Sequence, residues 1–309
     1  MRILAVTPYY SPEGGGLERY AHSILSRLAK NGHDVHAATF TRDEHPSGTL
    51  DGVRLQRWHP SAFLGNSPIE FGFGGTVRAK IREISPDLVV AHTPVPFPAE
   101  MAYFAARRAR VPFVVTYHAG RLQGSSPMLN VLAWMHRHTL EGRMLKNASG
   151  LIAVSHFVRH HALRGQRDRA WIVPPGVDTQ TFSPDGAPVP GRILFIGPLS
   201  KAYRWKGIDV LWRAFSLLRR HLPHAQLAVV GGGDRFPYFT EKAHELDGAV
   251  ELLGRLPEDR LIEEYRKAAV VVLPSTTDAE SFGMVLAEAN ACGRPVVGSN
   301  IGGIPNFVR

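Results

Sequence analysis

The most informative stretch of this chain is residues 278–298, which read DAESFGMVLAEANACGRPVVG. A short apolar run, Val270–Leu273, precedes it and predicts a buried strand. An apolar helix is predicted from Gly283 to a stop at Gly293, followed by a second strand over Pro295–Gly298. Strand, helix and strand in this order predict a parallel βαβ unit of an α/β domain.

Two carboxylates, Glu280 and Glu288, stand in this stretch. We expect Glu280 at the N-terminus of the helix and Glu288 about two turns further on. A helix N-terminus presents free amides and the positive end of the helix dipole, which favour phosphate. The stretch therefore predicts a site for a sugar phosphate at the carboxyl edge of a sheet.

The same alternation of strand and helix runs through the rest of the chain. It predicts two Rossmann-like α/β domains that face a cleft. A cluster of proline and glycine, Ser183–Gly191, interrupts the alternation and predicts a linker. We place the first domain at 1–186, the linker at 187–191 and the second domain at 192–309.

The chain is basic, with 36 Lys and Arg against 27 Asp and Glu and a formal charge of +9. The excess lies mostly in residues 1–190, which favours an anionic partner there: a phosphorylated acceptor, an anionic membrane or nucleic acid. Ordinary solubility charge explains the excess equally well. Nucleic-acid binding would explain the charge but none of the motifs, so we expect no nucleic-acid partner. No apolar run is long enough for a transmembrane helix.

Cysteine use is minimal. Cys292 is the one cysteine of the sequence, so a disulfide within the chain is excluded and a reducing compartment is favoured. We expect Cys292 to be a small core residue and the protein to be cytoplasmic, with peripheral contact to the inner face of the cell membrane as a further option.

Two glycine clusters follow predicted strands. Gly14–Gly16 follows the first strand, and Gly231–Gly233 follows the strand Gln226–Val230. Such glycines let a ligand approach the backbone closely, or simply form turns. Neither cluster has the spacing Gly-x-Gly-x-x-Gly, which argues against an ordinary dinucleotide site.

Basic residues follow the strand that ends at Gly197. Lys201, Arg204 and Lys206 could clamp a diphosphate there, although each alone is also an ordinary surface charge. His118 ends the predicted strand 112–118, where a side chain points toward the ligand crevice of an α/β domain. We assign His136, His138, His160 and His161 to the surface, and no set of residues has metal-site spacing.

A long helix is predicted over 128–147. Its segment 127–146 mixes apolar with basic residues. A basic, apolar helix can lie on an anionic membrane, but we favour a helix that packs its apolar side in the core and leaves its other side in solvent.

Four segments together resemble glycosyltransferase family 4. They are residues 280–305 with Glu-x7-Glu and Gly-Gly-Ile-Pro, Pro175–Phe182, Lys206-Gly207, and Val250–Pro257. The resemblance covers nearly the whole chain. It implies a GT-B fold and a retaining transfer of a mannose- or glucose-type hexosyl group from a UDP- or GDP-sugar. The acceptor would be a glycan, a glycolipid or another hydroxyl compound, and no metal or other cofactor would be needed.

The resemblance also implies roles for single residues. Glu280, the backbone amides at Phe282 and Gly283, and His118 would meet the transferred sugar. Lys206 would neutralise the diphosphate, and Gly15 and Gly16 would approach the phosphate. Glu288 would hold the ribose, and the Gly254–Leu256 backbone would meet the base. The second domain would bind the donor and the first the acceptor. The implied catalytic residues are Glu280, His118 and Lys206. The implied donor-binding residues are Gly15, Gly16, Gly197, Lys201, Arg204, Lys206, Gly232, Arg255, Leu256, Ser281, Phe282, Gly283, Met284, Val285 and Glu288.

Two departures from the family pattern bear on activity. Many relatives have an arginine after the glycine at the position of Gly197, whereas Pro198 stands here, so Lys201 or Arg204 would have to supply the charge. The chain also stops soon after the Gly-Gly-Ile-Pro segment, and we expect a C-terminally truncated second domain. A non-catalytic nucleotide-binding or scaffold relative is the alternative, and a sugar-nucleotide epimerase is a weaker third option.

Overall fold

The computed structural model describes residues 1–42, 45–64, 67–119, 127–163 and 165–308. They form two compact units, Met1–Pro174 and Pro175–Arg309. No helix among these described residues is both long and apolar enough to cross a bilayer.

The first unit is an α/β domain. Its strands are β1 (Arg2–Thr7), β2 (Asp34–Phe40), β3 (Gly48–Leu50), β4 (Val53–Trp58), β5 (Ala62–Leu64), β6 (Ser67–Ile69), β7 (Leu88–Thr93), β8 (Phe113–Tyr117), β9 (Gly150–Ala153) and β10 (Ala170–Ile172). Its helices are α1 (Gly16–Lys30), α2 (Phe73–Ile84), α3 (Pro98–Ala109), α4 (Pro127–His136), α5 (Gly142–Asn147) and α6 (His156–His161). A π-helical turn, Arg137–Glu141, joins α4 to α5, and a 3-10 turn covers Arg167–Arg169.

The main sheet of this unit has the order β10-β9-β8-β7-β1-β2-β4-β3 over the residues described. All neighbouring strands are parallel except β3, which pairs antiparallel with β4. The connections change direction between β1 and β7. Ligands of open α/β sheets bind beyond the carboxyl ends of the strands at such a switch point.

The second unit repeats the scheme. Its strands are β11 (Arg192–Ile196), β12 (Gln226–Val230), β13 (Val250–Gly254), β14 (Val270–Leu273) and β15 (Val296–Gly298). Its helices are α7 (Ile208–Leu218), α8 (Phe236–His244), α9 (Glu258–Lys267) and α10 (Met284–Ala291), with 3-10 turns at Lys201–Lys206 and Ile304–Asn306. The parallel sheet has the order β13-β12-β11-β14-β15, so its switch point lies between β11 and β14.

Both units confirm the predicted Rossmann-like α/β class. The two contact units divide at Pro174–Pro175, and residues ahead of 187 pack on the second unit. Phe182 is buried in that unit's core, the Arg266 guanidinium donates to Ser183 Oγ at 2.9 Å, and Arg294 donates to the Gly186 carbonyl at 3.1 Å. Cys292 is a free thiol buried in the same core, as predicted.

The segment 127–147 departs from the prediction of one regular helix. The π-helical turn interrupts it, and its two ends differ in burial. Met144 and Leu145 of α5 lie in the core, whereas α4 exposes Met128, Val131, Leu132, Trp134 and Met135 to solvent. Core packing therefore accounts for the second half of the segment but leaves the apolar side chains of α4 uncovered.

Candidate functional site

Two loops meet at the switch point of the second unit. The loop after β11 runs from Gly197 to Gly207, and the loop after β14 runs from Pro274 to Gly283. The Thr276 amide donates to the Trp205 carbonyl at 2.7 Å. A Cβ placed on Gly207, whose φ is +80°, would lie 1.8 Å from the Pro274 carbonyl oxygen. The two loops therefore touch through their backbones, and glycine is required at 207.

This contact brings Lys206 to Glu280. Lys206 Nζ lies 2.6 Å from Glu280 Oε2, and both side chains are largely buried. Ser275 Oγ donates to the same carboxylate oxygen at 3.3 Å, and Lys206 Nζ lies 4.7 Å above the Trp205 ring. The residues predicted to meet the diphosphate and the sugar are thus neighbours in one charge pair.

Glu280 lies in the loop ahead of α10 rather than in its first turn. Gly283, with φ +91°, is the N-cap, and the helix begins at Met284. The first amides of a helix have no partner within the helix, so those at Met284 and Val285 form a positively polarised end beside Glu280. The side chains of Phe282 and Val285 are buried, which leaves their backbone groups for a ligand.

A segment late in the chain holds the Glu280 loop from behind. The Gly303 amide donates to the Glu280 carbonyl at 2.8 Å. A Cβ on Gly302 would lie 2.1 Å from that carbonyl oxygen, and one on Gly303 would lie 2.1 Å from the Ser281 carbonyl oxygen. Phe282 packs edge-to-face on Phe307 at 4.7 Å between ring centroids. From the sequence, Gly302 and Gly303 were identified as part of a family pattern, but their contacts with the Glu280 loop were not predicted.

Glu288 has a partner that the sequence analysis did not identify. The hydroxyl of Tyr265, from α9, donates to Glu288 Oε2 at 2.5 Å, and both residues are buried. In the sequence, Tyr265 is one of the buried, apolar positions of α9 and has no mark of a site residue. The available signal was that a buried tyrosine hydroxyl needs a hydrogen-bond acceptor.

Two of the glycines after β12, Gly231 and Gly233, are required by close backbone contacts. A Cβ on Gly231 would lie 2.0 Å from the Gly197 carbonyl oxygen, and one on Gly233 would lie 2.3 Å from the Leu199 carbonyl oxygen. A Cβ on Gly232 would instead lie 3.4 Å from Cγ of Arg255, whose side chain is exposed. The structure thus brings Gly197, Gly232 and Arg255 together at one end of the sheet.

Leu256, the residue after Arg255, packs partly on the apolar core. Its backbone, and not its side chain, is the part predicted to meet the base.

Lys201 and Arg204 both have exposed side chains. The backbone amide of Lys201 donates to Asp234 Oδ1 at 3.0 Å. Arg204 Nε lies 3.8 Å from Asp209 Oδ2. Asp209 is held more closely by Arg235, which donates to its two oxygens at 2.8 and 2.7 Å. These hydrogen bonds lower the pKa of Asp209, and Arg235 is a basic residue near this loop that the sequence analysis did not single out.

The glycine loop of the first unit is capped by the chain itself. Glu18, in the first turn of α1, accepts a hydrogen bond from the Gly15 amide at 2.7 Å. Glu18 is buried, and burial raises the pKa of its carboxyl. A Cβ on Gly16 would meet no atom within 4 Å. Space for a ligand therefore exists at Gly16, whereas the Gly15 amide is already engaged.

His118 directly follows β8, as the sequence analysis expected. Its Nε2 lies 2.9 Å from Nδ1 of His92 in β7, and the Tyr20 ring packs edge-on at 4.8 Å from the His118 ring. Among the residues that the structure describes, no group of three or more His, Cys, Asp or Glu is arranged to hold a metal ion.

Comparisons with known proteins cover both units. The family model for Glycosyltransferase Family 4 matches residues 14–181, and the model for Glycosyl transferases group 1 matches residues 190–309. The chain is 29% identical to the GDP-mannose-dependent alpha-(1-6)-phosphatidylinositol monomannoside mannosyltransferase of Mycobacterium tuberculosis, covering 100% of this chain and 83% of the relative. It is 30% identical to the D-inositol 3-phosphate glycosyltransferase of Corynebacterium jeikeium, covering 99% and 82%.

Solved structures support the same fold. Sucrose-phosphate synthase from Thermosynechococcus elongatus superposes with a TM-score of 0.78 at 22% identity, over 100% of this chain and 83% of that one. Anabaena HepE in complex with UDP gives 0.72 at 20% identity, over 100% and 83%. Sequence and fold agree over both units: the chain belongs to Glycosyltransferase Family 4 and is a glycosyltransferase of the GT-B class.

Proposed function

We propose that this protein is a retaining hexosyltransferase that uses a UDP- or GDP-linked mannose- or glucose-type donor. The observation that carries the proposal is the Lys206–Glu280 pair beside the N-terminus of α10. It places a cation, a carboxylate and free amides at the switch point of a Rossmann-like sheet, where such folds bind their ligands.

The charges of this site suit departure of a nucleoside diphosphate. Negative charge builds up on the leaving phosphate, and Lys206 together with the helix N-terminus would stabilise it. Because these groups supply fixed positive charge, we propose that the reaction needs no divalent metal and no other cofactor.

Glu280 has a positioning role in this proposal. With Lys206 on the diphosphate, its carboxylate is free to accept hydrogen bonds from hydroxyls of the transferred sugar. The departing phosphate would itself take the proton of the acceptor on the same face, so retention needs no protein nucleophile. This differs from the paired carboxylates of glycoside hydrolases.

The remaining donor contacts follow the geometry of the second unit. Glu288, fixed by Tyr265, would bind the ribose hydroxyls. The backbone at Arg255 and Leu256 would meet the base, and Gly197 and Gly232 lie at the same end of the sheet. In the first unit, Gly16 and His118 remain the proposed contacts to phosphate and sugar.

The acceptor is proposed to be a hydroxyl group of a lipid-linked or phosphorylated compound. The names of two relatives include a phosphatidylinositol monomannoside and an inositol 3-phosphate. The excess of basic residues in the first half of the chain suits an anionic acceptor of this kind.

The exposed apolar side chains of α4 support peripheral contact with an anionic membrane. Trp134, Met135 and their neighbours are exposed, and Arg143 and Lys146 follow on α5. Apolar residues would enter the headgroup boundary while basic residues bind anionic lipid. Co-sedimentation with anionic vesicles at low salt should detect binding, and Trp134→Ser should reduce it. Absence of binding by the unchanged protein at low salt would refute membrane contact.

A donor screen tests the central proposal. A nucleotide that binds only the folded state raises the melting temperature, so melting curves with UDP, GDP and their hexose conjugates should reveal the base and the sugar. The purified protein should then transfer or slowly hydrolyse that donor, and Glu280→Ala should abolish turnover. Donor binding with no turnover by the unchanged protein would instead favour a non-catalytic nucleotide-binding relative.

A further inference from the structure

Two histidines face each other at the carboxyl end of the first unit's sheet. His92 belongs to β7 and pairs in register with Thr116 of β8. His118 follows β8 directly, and its amide donates to the Thr93 carbonyl at 2.9 Å. The ring centroids are 5.1 Å apart, and His92 Nδ1 and His118 Nε2 are 2.9 Å apart. This is a hydrogen bond between two imidazoles.

The surroundings keep both rings uncharged at neutral pH. His92 is 2% exposed, and burial lowers its pKa to about 3. Burial also lowers the pKa of His118 well below its ordinary value, and His92 adds to that effect. Tyr20 packs against both rings, but its hydroxyl donates to the Val173 carbonyl at 3.2 Å. A single proton therefore lies between His92 Nδ1 and His118 Nε2.

The other nitrogen of His92 discriminates between the two positions of that proton. His92 Nε2 is buried and has no hydrogen-bond partner in the described part of the chain. If His118 donated to His92, then His92 Nε2 would carry a buried hydrogen with no acceptor. If His92 donates, its Nε2 is only a bare lone pair. Buried N–H groups without a partner are the rarer and costlier case.

We propose that His92 donates to His118 and thereby fixes His118 as the tautomer that carries its proton on Nδ1. His118 is partly exposed, and Nδ1 is its nitrogen that does not face His92. His118 is then a neutral hydrogen-bond donor to a substrate oxygen, and His92 is a positioning residue. The contact to substrate rests on the proposed transferase function, whereas the tautomer itself does not.

The tautomer can be measured without any activity. In protein labelled with ¹⁵N-histidine, NMR distinguishes a protonated from an unprotonated ring nitrogen, and His118→Gln identifies the His118 signals by their loss. The expected result at neutral pH is a neutral His118 protonated on Nδ1. A His118 protonated on Nε2, or on both nitrogens, would overturn the proposal.

Two variants of His92 test the positioning role. The side-chain amide nitrogen of Asn occupies nearly the place of imidazole Nδ1, so His92→Asn keeps a donor to His118, while His92→Leu removes it. We expect His92→Leu to lose the single tautomer and to lower kcat for hexosyl transfer about ten-fold, the effect of one oriented hydrogen bond. His92→Asn should retain the tautomer and most of the turnover.

Nucleotide binding separates failure of this inference from failure of the proposed function. The melting-temperature rise produced by the product nucleotide, UDP or GDP, should be the same in both variants and in the unchanged protein. Equal loss of turnover in His92→Leu and His92→Asn would mean that His92 acts only in packing and would refute the positioning role. If the unchanged protein binds donor but transfers nothing, the proposed function fails, and the NMR result still decides the tautomer.

Discussion

The position of the Glu288 carboxylate depends on a hydrogen-bond partner that is distant in the sequence. Its spacing from Glu280 marked it as a candidate, but the spacing could not reveal what fixes the carboxylate. Tyr265 does so from α9 at 2.5 Å. Such a partner is hard to predict because Tyr265 is fully buried and looks like any other apolar position of an amphipathic helix.

Removal of the Tyr265 hydroxyl should weaken nucleotide binding. Tyr265→Phe keeps the ring in the core and deletes one hydrogen bond to Glu288, so we expect donor affinity to fall about three- to ten-fold. Titration calorimetry with the nucleotide found in the donor screen measures the change. The same nucleotide without its ribose hydroxyls should bind both proteins equally, and a Tyr265→Phe effect of the same size on that analogue would contradict the role assigned to Glu288.

Single removals of the basic residues after β11 test which of them binds the diphosphate. Lys206→Ala should weaken donor binding ten-fold or more, since a hydrogen bond to a charged group contributes about 1.5–3 kcal/mol. Arg204→Ala leaves Asp209 paired with Arg235, so its effect on donor affinity reports on Arg204 itself.

Lys201→Ala completes this series. If only Lys206→Ala weakens donor binding, neither Lys201 nor Arg204 replaces the arginine that many relatives carry at the position of Pro198.

Helices and strands were the most predictable part of this molecule. The strands β12 and β14 have the bounds that were predicted from their apolar runs. The contacts between loops were not predictable, because they depend on residues that are close in space and distant in sequence. Gly207 against Pro274 and Gly302 against Glu280 are examples.

A methyl group at Gly302 should disturb the Glu280 loop. Its Cβ would lie 2.1 Å from the Glu280 carbonyl oxygen, so the loop or the late segment must move. We expect Gly302→Ala to destabilise the protein by about 1–3 kcal/mol and to reduce turnover strongly.

Gly248→Ala is a matched control for this change. Gly248 also has positive φ, but its Cβ would meet no atom within 4 Å, so this variant should show a similar backbone strain without loss of turnover. Equal loss of turnover in both variants would mean that strain alone, and not the contact with Glu280, explains the effect.

For the segment 127–147, the apolar periodicity predicted the helix but not the burial of its side chains. The pattern predicted a helix but could not tell which side chains would be covered, because that depends on what packs against it. The π-helical turn at Arg137–Glu141 separates the exposed α4 from the buried α5. Turns of this kind occur often at functional sites.

At the level of the whole chain, the two-domain class followed from the alternation of strand and helix. A cluster of proline and glycine indicates a turn but not which core its neighbours join. Phe182, ahead of the cluster, joins the second core.

Nucleotide binding should protect the second unit against hydrogen exchange. Ligand at about a hundred times its dissociation constant stabilises the bound state by about 2.7 kcal/mol. We expect slower exchange at the amides of Gly283–Val285 and in the loop 197–207. Protection that is confined to residues 1–174 would contradict the placement of the donor site.

Acid should destabilise the protein through His92. The unfolded chain binds a proton near pH 6.5, whereas folded His92 binds one only near pH 3 because it is buried. Burial of neutral His92 therefore has no protonation cost above pH 6.5. As the pH falls from there toward 3, it lowers the free energy of unfolding by up to about 4 kcal/mol. Urea unfolding at several pH values should show a shallower decline for His92→Asn. The exposed His160→Asn should follow the unchanged protein, and equal declines in all three would contradict this assignment.

The hydrogen bond from Gly303 to the Glu280 carbonyl has a consequence for how shortened forms of such a protein are judged. A polypeptide that ended before Gly302, through an early stop codon or a proteolytic cut, would keep every residue of the Glu280–Glu288 motif. It would nonetheless lack the amide that holds the Glu280 loop in place. An intact motif in a shortened homologue is therefore poor grounds for assigning it activity.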